Sequence, residues 1–194
     1  MELTPEVLLS AYMQGIFPMA LEDGRIHWFS PQPRAILPLD GLRVSQSLRR
    51  VLHHGPFEVR FDTAFEQVIA ACAAPAPGRE ETWISAEIIE AYNRLHRLGF
   101  AHSVESWVGE ELVGGLYGVS IRGFFAGESM FSRRRDASKV ALYHLVQRLR
   151  ARDFRLLDVQ HTTPHLIRLG AVEVPRRTYL ALLRQALAVE SDFG

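Results

Sequence analysis

The sequence predicts an α+β domain built on one mixed central sheet with helices on its flanks. Three observations carry this. Three strand-like runs follow one another, AHSVESWV (101–108), ELVGGLYGVSI (111–121) and GFFAGESMF (123–131), parted by Gly-Glu and Arg-Gly turns as in an antiparallel meander. A helical stretch at 137–151 separates that meander from a further apolar strand, RLLDVQ (155–160). Helical patterns precede and follow this block, so the sheet is central in the chain.

Each element has a local cause. Thr4 as N-cap, Pro5 at the first helical position and Gly15 as a stop define a helix over 4–14. Prolines 18, 31 and 33 make the next segment an irregular, partly buried stretch with a turn at Asp23-Gly24. RAILPL is a short strand. Ser45 caps a helix that Gly55-Pro56 ends, and FEVRF alternates as a strand. Asp62 or Thr63 caps a helix through Phe65, Val68, Ile69 and Cys72, and AAPAPG (73–78) is a surface loop. Ser85 opens a helix with Gly99 beyond its end. In 137–151, Val140, Leu142, Leu145, Val146 and Leu149 form the buried side. Thr163-Pro164 starts a short helix ending at Gly170, and a last helix covers 177–188.

Composition bounds the function. A chain of 194 residues, 47% of them hydrophobic, can bury one core without disulfides or metal. Twenty-two basic and 22 acidic side chains cancel, which excludes a uniformly basic coat protein or an acidic tail protein but not a local basic patch. The single cysteine, Cys72, excludes a disulfide framework and a Cys-built zinc site. No apolar run nears the roughly 20 residues of a membrane span, and no secretory signal opens the chain. The expectation is a soluble, cytoplasmic protein with one core.

Two clusters carry chemistry. Glu128 lies on a strand of Phe124, Phe125, Met130 and Phe131, where a carboxylate is costly to desolvate without a partner. Strict alternation puts Phe124, Ala126, Glu128 and Met130 on one face, and Phe125, Gly127, Ser129 and Phe131 on the other. Asp158 and Gln160 share a face at the end of an apolar strand, where α/β proteins place ligands. Each cluster also has a plain structural reading, as an ion-pair anchor or a helix cap. The histidines show no metal spacing. Basic residues concentrate at Arg43, Arg49, Arg50, His53 and His54, and again at Arg133, Arg134, Arg135 and Lys139; they are either solvated faces or phosphate contacts.

Taken together, nine motifs resemble the leucyl/phenylalanyl-tRNA–protein transferases across nearly the whole chain. They are AYxxGIFP (11–18), WFSPxPRAI (28–36), TWIS (82–85), EAYxRLHxLGxAHSVE (90–105), ELVGGLYGV (111–119), FAGESMFSR (125–133), DxQ (158–160), HLxxLGA (165–171) and VPRRxYL (174–180). The resemblance implies an acyl-CoA N-acyltransferase-like (GNAT-like) catalytic domain over 34–194, after an abbreviated N-terminal region over 1–33. It implies transfer of leucine or phenylalanine, with methionine as a candidate, from aminoacyl-tRNA to proteins with N-terminal Arg or Lys, marking them for N-degron degradation. It also implies a monomer working without cofactor or metal. By the same resemblance Asp158, Gln160 and Glu128 are catalytic, with Asp158 orienting Gln160. Met19, Trp83, Leu116, Phe125, Met130, Leu142 and Leu145 bind the donor, and Arg43, Arg49, Arg50 and His53 contact tRNA. Met19 stands where many members have Trp; His53 and His54 stand where basic residues are common. Two further readings stay open: an acyl-CoA-dependent N-acyltransferase, and a non-catalytic module binding tRNA or protein N-termini.

Overall fold

The structure, a computed structural model, describes residues 3–75 and 82–194. Part of the expected 73–78 loop lies outside them. The element order is α1 (Pro5–Met13), β1 (Phe17–Ala20), β2 (Ile26–Phe29), β3 (Arg34–Ile36), α2 (Gln46–His54), β4 (Glu58–Phe61), α3 (Phe65–Ala73) and α4 (Ala86–Arg97). It continues with β5 (Ala101–Val108), β6 (Glu111–Ile121), β7 (Phe124–Ser132), α5 (Ala137–Ala151), β8 (Leu156–Gln160), α6 (Pro164–Leu169), β9 (Val172–Val174) and α7 (Arg176–Leu187).

The expected caps form at four helices. Thr4, Ser45, Ser85 and Thr163 accept from the backbone N–H of Val7, Leu48, Ile88 and Leu166. The cap expected for α3 does not. Asp62 has a left-handed φ of 58° and gives its carboxylate to His102 Nδ1 and Ser103 N, both at 2.8 Å. Glu105 on β5 takes over, accepting from Thr63 N at 3.0 Å and Ala64 N at 2.8 Å. A neighbouring strand thus bonds the backbone N–H groups at and just before the N-cap of α3.

The stretch expected to be irregular is a β1–β2 hairpin, with Phe17 opposite Phe29. Its turn is at Asp23-Gly24 as expected, with Asp23 Oδ1 accepting from Arg25 N at 2.9 Å. Strands of four residues, one carrying Pro18, are too short and too broken to show alternation.

The main sheet has seven strands in the order β4-β5-β6-β7-β8-β3-β9. All neighbours are antiparallel except β7 and β8, which are parallel and joined by the α5 crossover. One face packs against α1, the hairpin, α3, α4 and α7, burying Leu8, Phe17, Val68, Tyr92, Phe124 and Leu183 in one cluster. The other carries α5 and α6, with Leu116, Phe125, Leu142, Leu145 and Leu157 in a second cluster. Helix α2 rests on α5. Among the described residues no helix is long and apolar enough to cross a membrane.

The alternation expected along β7 breaks at Glu128. Gly118 pairs with Gly127 and Tyr117 with Ser129, so Glu128 has no partner and forms a β-bulge. One extra residue inverts everything beyond it. Phe131 therefore joins Phe124 in the first cluster, and Met130 joins Phe125 in the second, opposite to strict alternation.

The bulge also needs Gly118. A Cβ there would overlap the Ala126 carbonyl oxygen and the Phe125 ring, neither of which can yield cheaply. Gly118→Ala should therefore destabilise the protein by about 3 kcal/mol or more, read as a lower urea midpoint at unchanged m-value.

Candidate active site

Strands β7 and β8 pair only from Phe124↔Leu156 to Ala126↔Asp158. Beyond that point their side chains bridge the gap. Gln160 Nε2 donates to Glu128 Oε1 at 2.8 Å. A second register shift, between Ala35↔Gln160 and Ile36↔Asp158, falls on the β8 side of the same gap. Irregular pairing beside a site is a common way to re-aim side chains.

Gln160 is held in a left-handed conformation, φ 65°, and its backbone N–H donates to Asp158 Oδ1 at 2.8 Å. Asp158 is fully buried and saturated. Arg34 Nε lies 3.0 and 3.2 Å from its two oxygens, Arg34 Nη2 is 2.7 Å from Oδ2, and the Tyr179 hydroxyl donates to Oδ2 at 2.8 Å. Arg34 is itself 1% exposed, donates to the Gly15 carbonyl at 3.0 Å, and lies between the Phe17 and Tyr179 rings. Asp158 thus fixes the backbone of Gln160.

Glu128 is the electrostatic outlier. Burial pushes its carboxyl up to about 8; the Tyr12 hydroxyl opposes this and the Asp158 charge adds to it. Its Oε2 is sealed and has no hydrogen-bond partner among the described residues. Tyr12 and Tyr92 hydrogen-bond to each other, and burial followed by the Glu128 charge raises both phenols. Gln160 has an N–H engaged on Glu128, so its carbonyl oxygen is left as an acceptor.

Beside this pair lies an apolar cavity of about 200 Å³, walled by Leu116, Met130, Leu142, Leu145, Leu157 and Leu166, with Glu128, Thr163 and His165 also lining it. Drug-sized sites run to roughly 300–1,000 Å³, so this one suits a single side chain. A larger depression of about 460 Å³, near Ile36, Arg150 and Leu182, does not reach Glu128 or Gln160.

Four of the expected donor-binding residues, Leu116, Met130, Leu142 and Leu145, line the cavity. Three do not. Phe125 is fully buried one layer back, stacked on Phe193 at 5.4 Å. Met19 and Trp83 pack on the other face of the sheet, where Ala20 N donates to the Trp83 carbonyl at 3.1 Å. The hairpin reaches the site instead through Phe17, edge-on to His161 at 6.0 Å. Arg43, Arg49, Arg50 and His53 are exposed on or just before α2. Arg34, Tyr12, Tyr92, Tyr179 and His165 escaped the reading of candidate residues although each stands inside a quoted motif. Their signal was a polar or charged residue in an otherwise apolar segment.

A carboxyl raised by burial has a thermodynamic signature. The folded state holds a proton that the unfolded chain releases near the ordinary 4.5, so Glu128 favours folding fully below that value and loses its contribution as pH rises through about 8. Glu128→Gln removes this titration. Relative to wild type, the variant should gain stability steadily from pH 5 to 8, by a few kcal/mol in total, and level off above. Denaturation midpoints of both proteins across that range test it.

Comparison with known proteins identifies the family. The chain matches the family described as leucyl/phenylalanyl-tRNA protein transferase over residues 36–184, and that family's N-terminal domain over residues 1–32. It is 56% identical over 193 residues to a leucyl/phenylalanyl-tRNA–protein transferase of Rhodospirillum rubrum, covering 98% of this chain and 91% of that protein. The same identity holds over 192 residues with the protein of that name from Herpetosiphon aurantiacus, covering 98% of each. A solved structure of a conserved protein of unknown function from Bacteroides thetaiotaomicron overlaps with a TM-score of 0.45 at 10% identity, over 96% of this chain and 73% of that one, too loose a likeness to assign a finer fold. On residue-level similarity along nearly its whole length, the chain belongs to the leucyl/phenylalanyl-tRNA–protein transferase family.

Proposed function

We propose that this chain transfers leucine or phenylalanine, with methionine as a further candidate, from aminoacyl-tRNA to the N-terminal α-amine of a protein beginning with Arg or Lys. The observation that carries the reading is the Glu128–Gln160 pair beside an apolar cavity sized for one side chain. The donor's side chain fills that cavity and leaves its ester carbonyl near the pair. The Gln160 carbonyl oxygen accepts a hydrogen bond from the incoming amine and aims its lone pair at the ester carbon. A C–N bond forms, the ester C–O bond to the terminal ribose breaks, and the amine's proton ends on the ribose oxygen.

The aminoacyl ester is already activated, so the protein has mainly to position two reactants. Good positioning supplies up to roughly 7–11 kcal/mol. An amide such as Gln160 is too weak a base to hold the proton. Glu128, titrating at about 8, is the group here suited to hold one at neutral pH. Asp158 is a positioning residue, fixed by Arg34 and Tyr179. An apolar cavity rejects charged side chains but separates Leu from Phe only modestly.

The tRNA body is proposed to lie along α2, with Arg43, Arg49, Arg50 and His53. This helix rests on α5, whose Leu142 and Leu145 line the cavity. We further propose a GNAT-like catalytic domain over 34–194 after an N-terminal region over 1–33, acting as a cytoplasmic monomer that marks proteins for N-degron degradation. The parallel β7–β8 pair that parts at the site supports the fold reading.

Incubation with leucyl-tRNA and an Arg-starting peptide should give the leucylated peptide, while acetyl-CoA gives no product. Gln160→Ala should cut transfer about 10²–10³-fold with a normal melting temperature. Asp158→Ala should lose activity and also about 3–5 kcal/mol of stability, because it strands the Arg34 charge. Full turnover in either variant overturns the assignment. Arg49→Ala with Arg50→Ala should weaken tRNA binding and flatten its log–log salt dependence by about one per lost phosphate contact.

A further inference from the structure

We propose that Glu173 reads the basic side chain of the acceptor's first residue, an inference that deepens the transferase reading above and rests on it. The argument begins with register. Ala35 on β3 pairs with Gln160 on one side and Glu173 on the other, so three strands set these residues in one row. Strands lie about 4.8 Å apart, which puts Glu173 about 10 Å from Gln160, Cα to Cα. Arg34 and Ile36 point to the face with Tyr179 and the first cluster. Alternation along the regular β3–β9 ladder therefore turns Ala35 and Glu173 to the face that holds the cavity, while Gln160 sits at the register shift with its amide on Glu128, which lines that cavity.

Glu173 is exposed, and its carboxylate is steadied by the Thr162 hydroxyl at 2.7 Å. Thr162 lies in the loop directly after Gln160, so the carboxylate is tied to the same segment that carries the reacting group. Among the described residues no Lys or Arg pairs with it. Arg34 on the adjacent strand is engaged by Asp158. Arg176, three residues on, donates to Ser30, just beyond the hairpin.

The α6 wall of the cavity has the other sign. His165, on the cavity wall, is held below its ordinary pKa by burial and then by the Lys139 and Arg168 charges. Asp136, the acid whose charge acts on His165, is paired with Lys139 at 2.6 Å. Such a wall favours the phosphates of the donor's 3′ end and repels an acceptor's cation. The Glu173 edge is thus left for that cation.

An acceptor whose α-amine lies at the Gln160 oxygen can run its stem along the β3–β9 row. A four-carbon lysine stem or an arginine fork brings its charge to a carboxylate at that range. A neutral side chain of the same length gains no such bond.

The experiment compares two acceptor peptides that differ only in the first residue, arginine or its neutral isostere citrulline, with leucyl-tRNA as donor. Wild type should prefer arginine by roughly ten- to hundredfold in kcat/KM, chiefly through KM. Glu173→Gln should reduce that preference at least fivefold, leave the KM for leucyl-tRNA unchanged and melt normally. Glu173→Asp, which keeps the charge, should restore part of it. If wild type transfers to arginine but Glu173→Gln keeps the full preference, the role of Glu173 is overturned while the transferase reading stands. If wild type transfers to neither peptide, the transferase reading falls and the inference falls with it.

Discussion

The site depends on one buried ion pair. Arg34 and Asp158 are 124 residues apart and almost wholly sealed from water. Isolated, either charge would cost several kcal/mol to desolvate, and their attraction offsets this only when every remaining donor and acceptor is met. Here they are met. Asp158 takes the Arg34 fork, the Tyr179 hydroxyl and the Gln160 N–H, while Arg34 also bonds to Gly15 and lies between two aromatic rings. The knot joins the end of α1, strands β3 and β8, and α7. It holds Gln160 in a backbone conformation that a free chain rarely visits. Gly15 belongs to the same constraint: its φ is 73°, and a Cβ there would press on the Tyr179 ring at 2.6 Å.

The second determinant is irregular pairing. A sheet with perfect register would carry Glu128 into a ladder and close the gap between β7 and β8. The bulge leaves Glu128 unpaired, and the parting of the two strands leaves the Gln160 amide as its partner. The same slip brings Met130 to the cavity face beside Leu116 and Leu142. The Glu128 site and the apolar cavity therefore share one local cause. The buried phenols behind Glu128 stay neutral, their ionisation opposed by burial and then by the Glu128 charge, while the Tyr12 hydroxyl offsets part of the cost of desolvating the Glu128 carboxylate.

A reaction whose substrate is already activated asks little of a protein beyond position and charge. The cavity has room for one apolar side chain, and α2 presents a basic surface on the same face.

Much of this was legible in the chain. Caps at Thr4, Ser45, Ser85 and Thr163, the meander and the full extent of α5 follow from short-range rules, because each depends on residues within a few positions. Asp158, Gln160 and Glu128 stood out as polar groups in apolar strands. What the chain did not reveal depends on partners far away. The α3 cap comes from Glu105 about 40 residues on, and the hairpin and β9 are too short to show a period. Phe125, Met19 and Trp83 have the right chemistry for an apolar pocket, but Phe125 lies behind the cavity against Phe193, and Met19 and Trp83 pack on the other face of the sheet, placements set by packing between distant segments. Arg34 reads as an ordinary strand residue until folding encloses it with Asp158. Local patterning determined which elements form and which residues are polar; tertiary packing alone decided which of those polar groups meet, because desolvation and register exist only once the strands are paired.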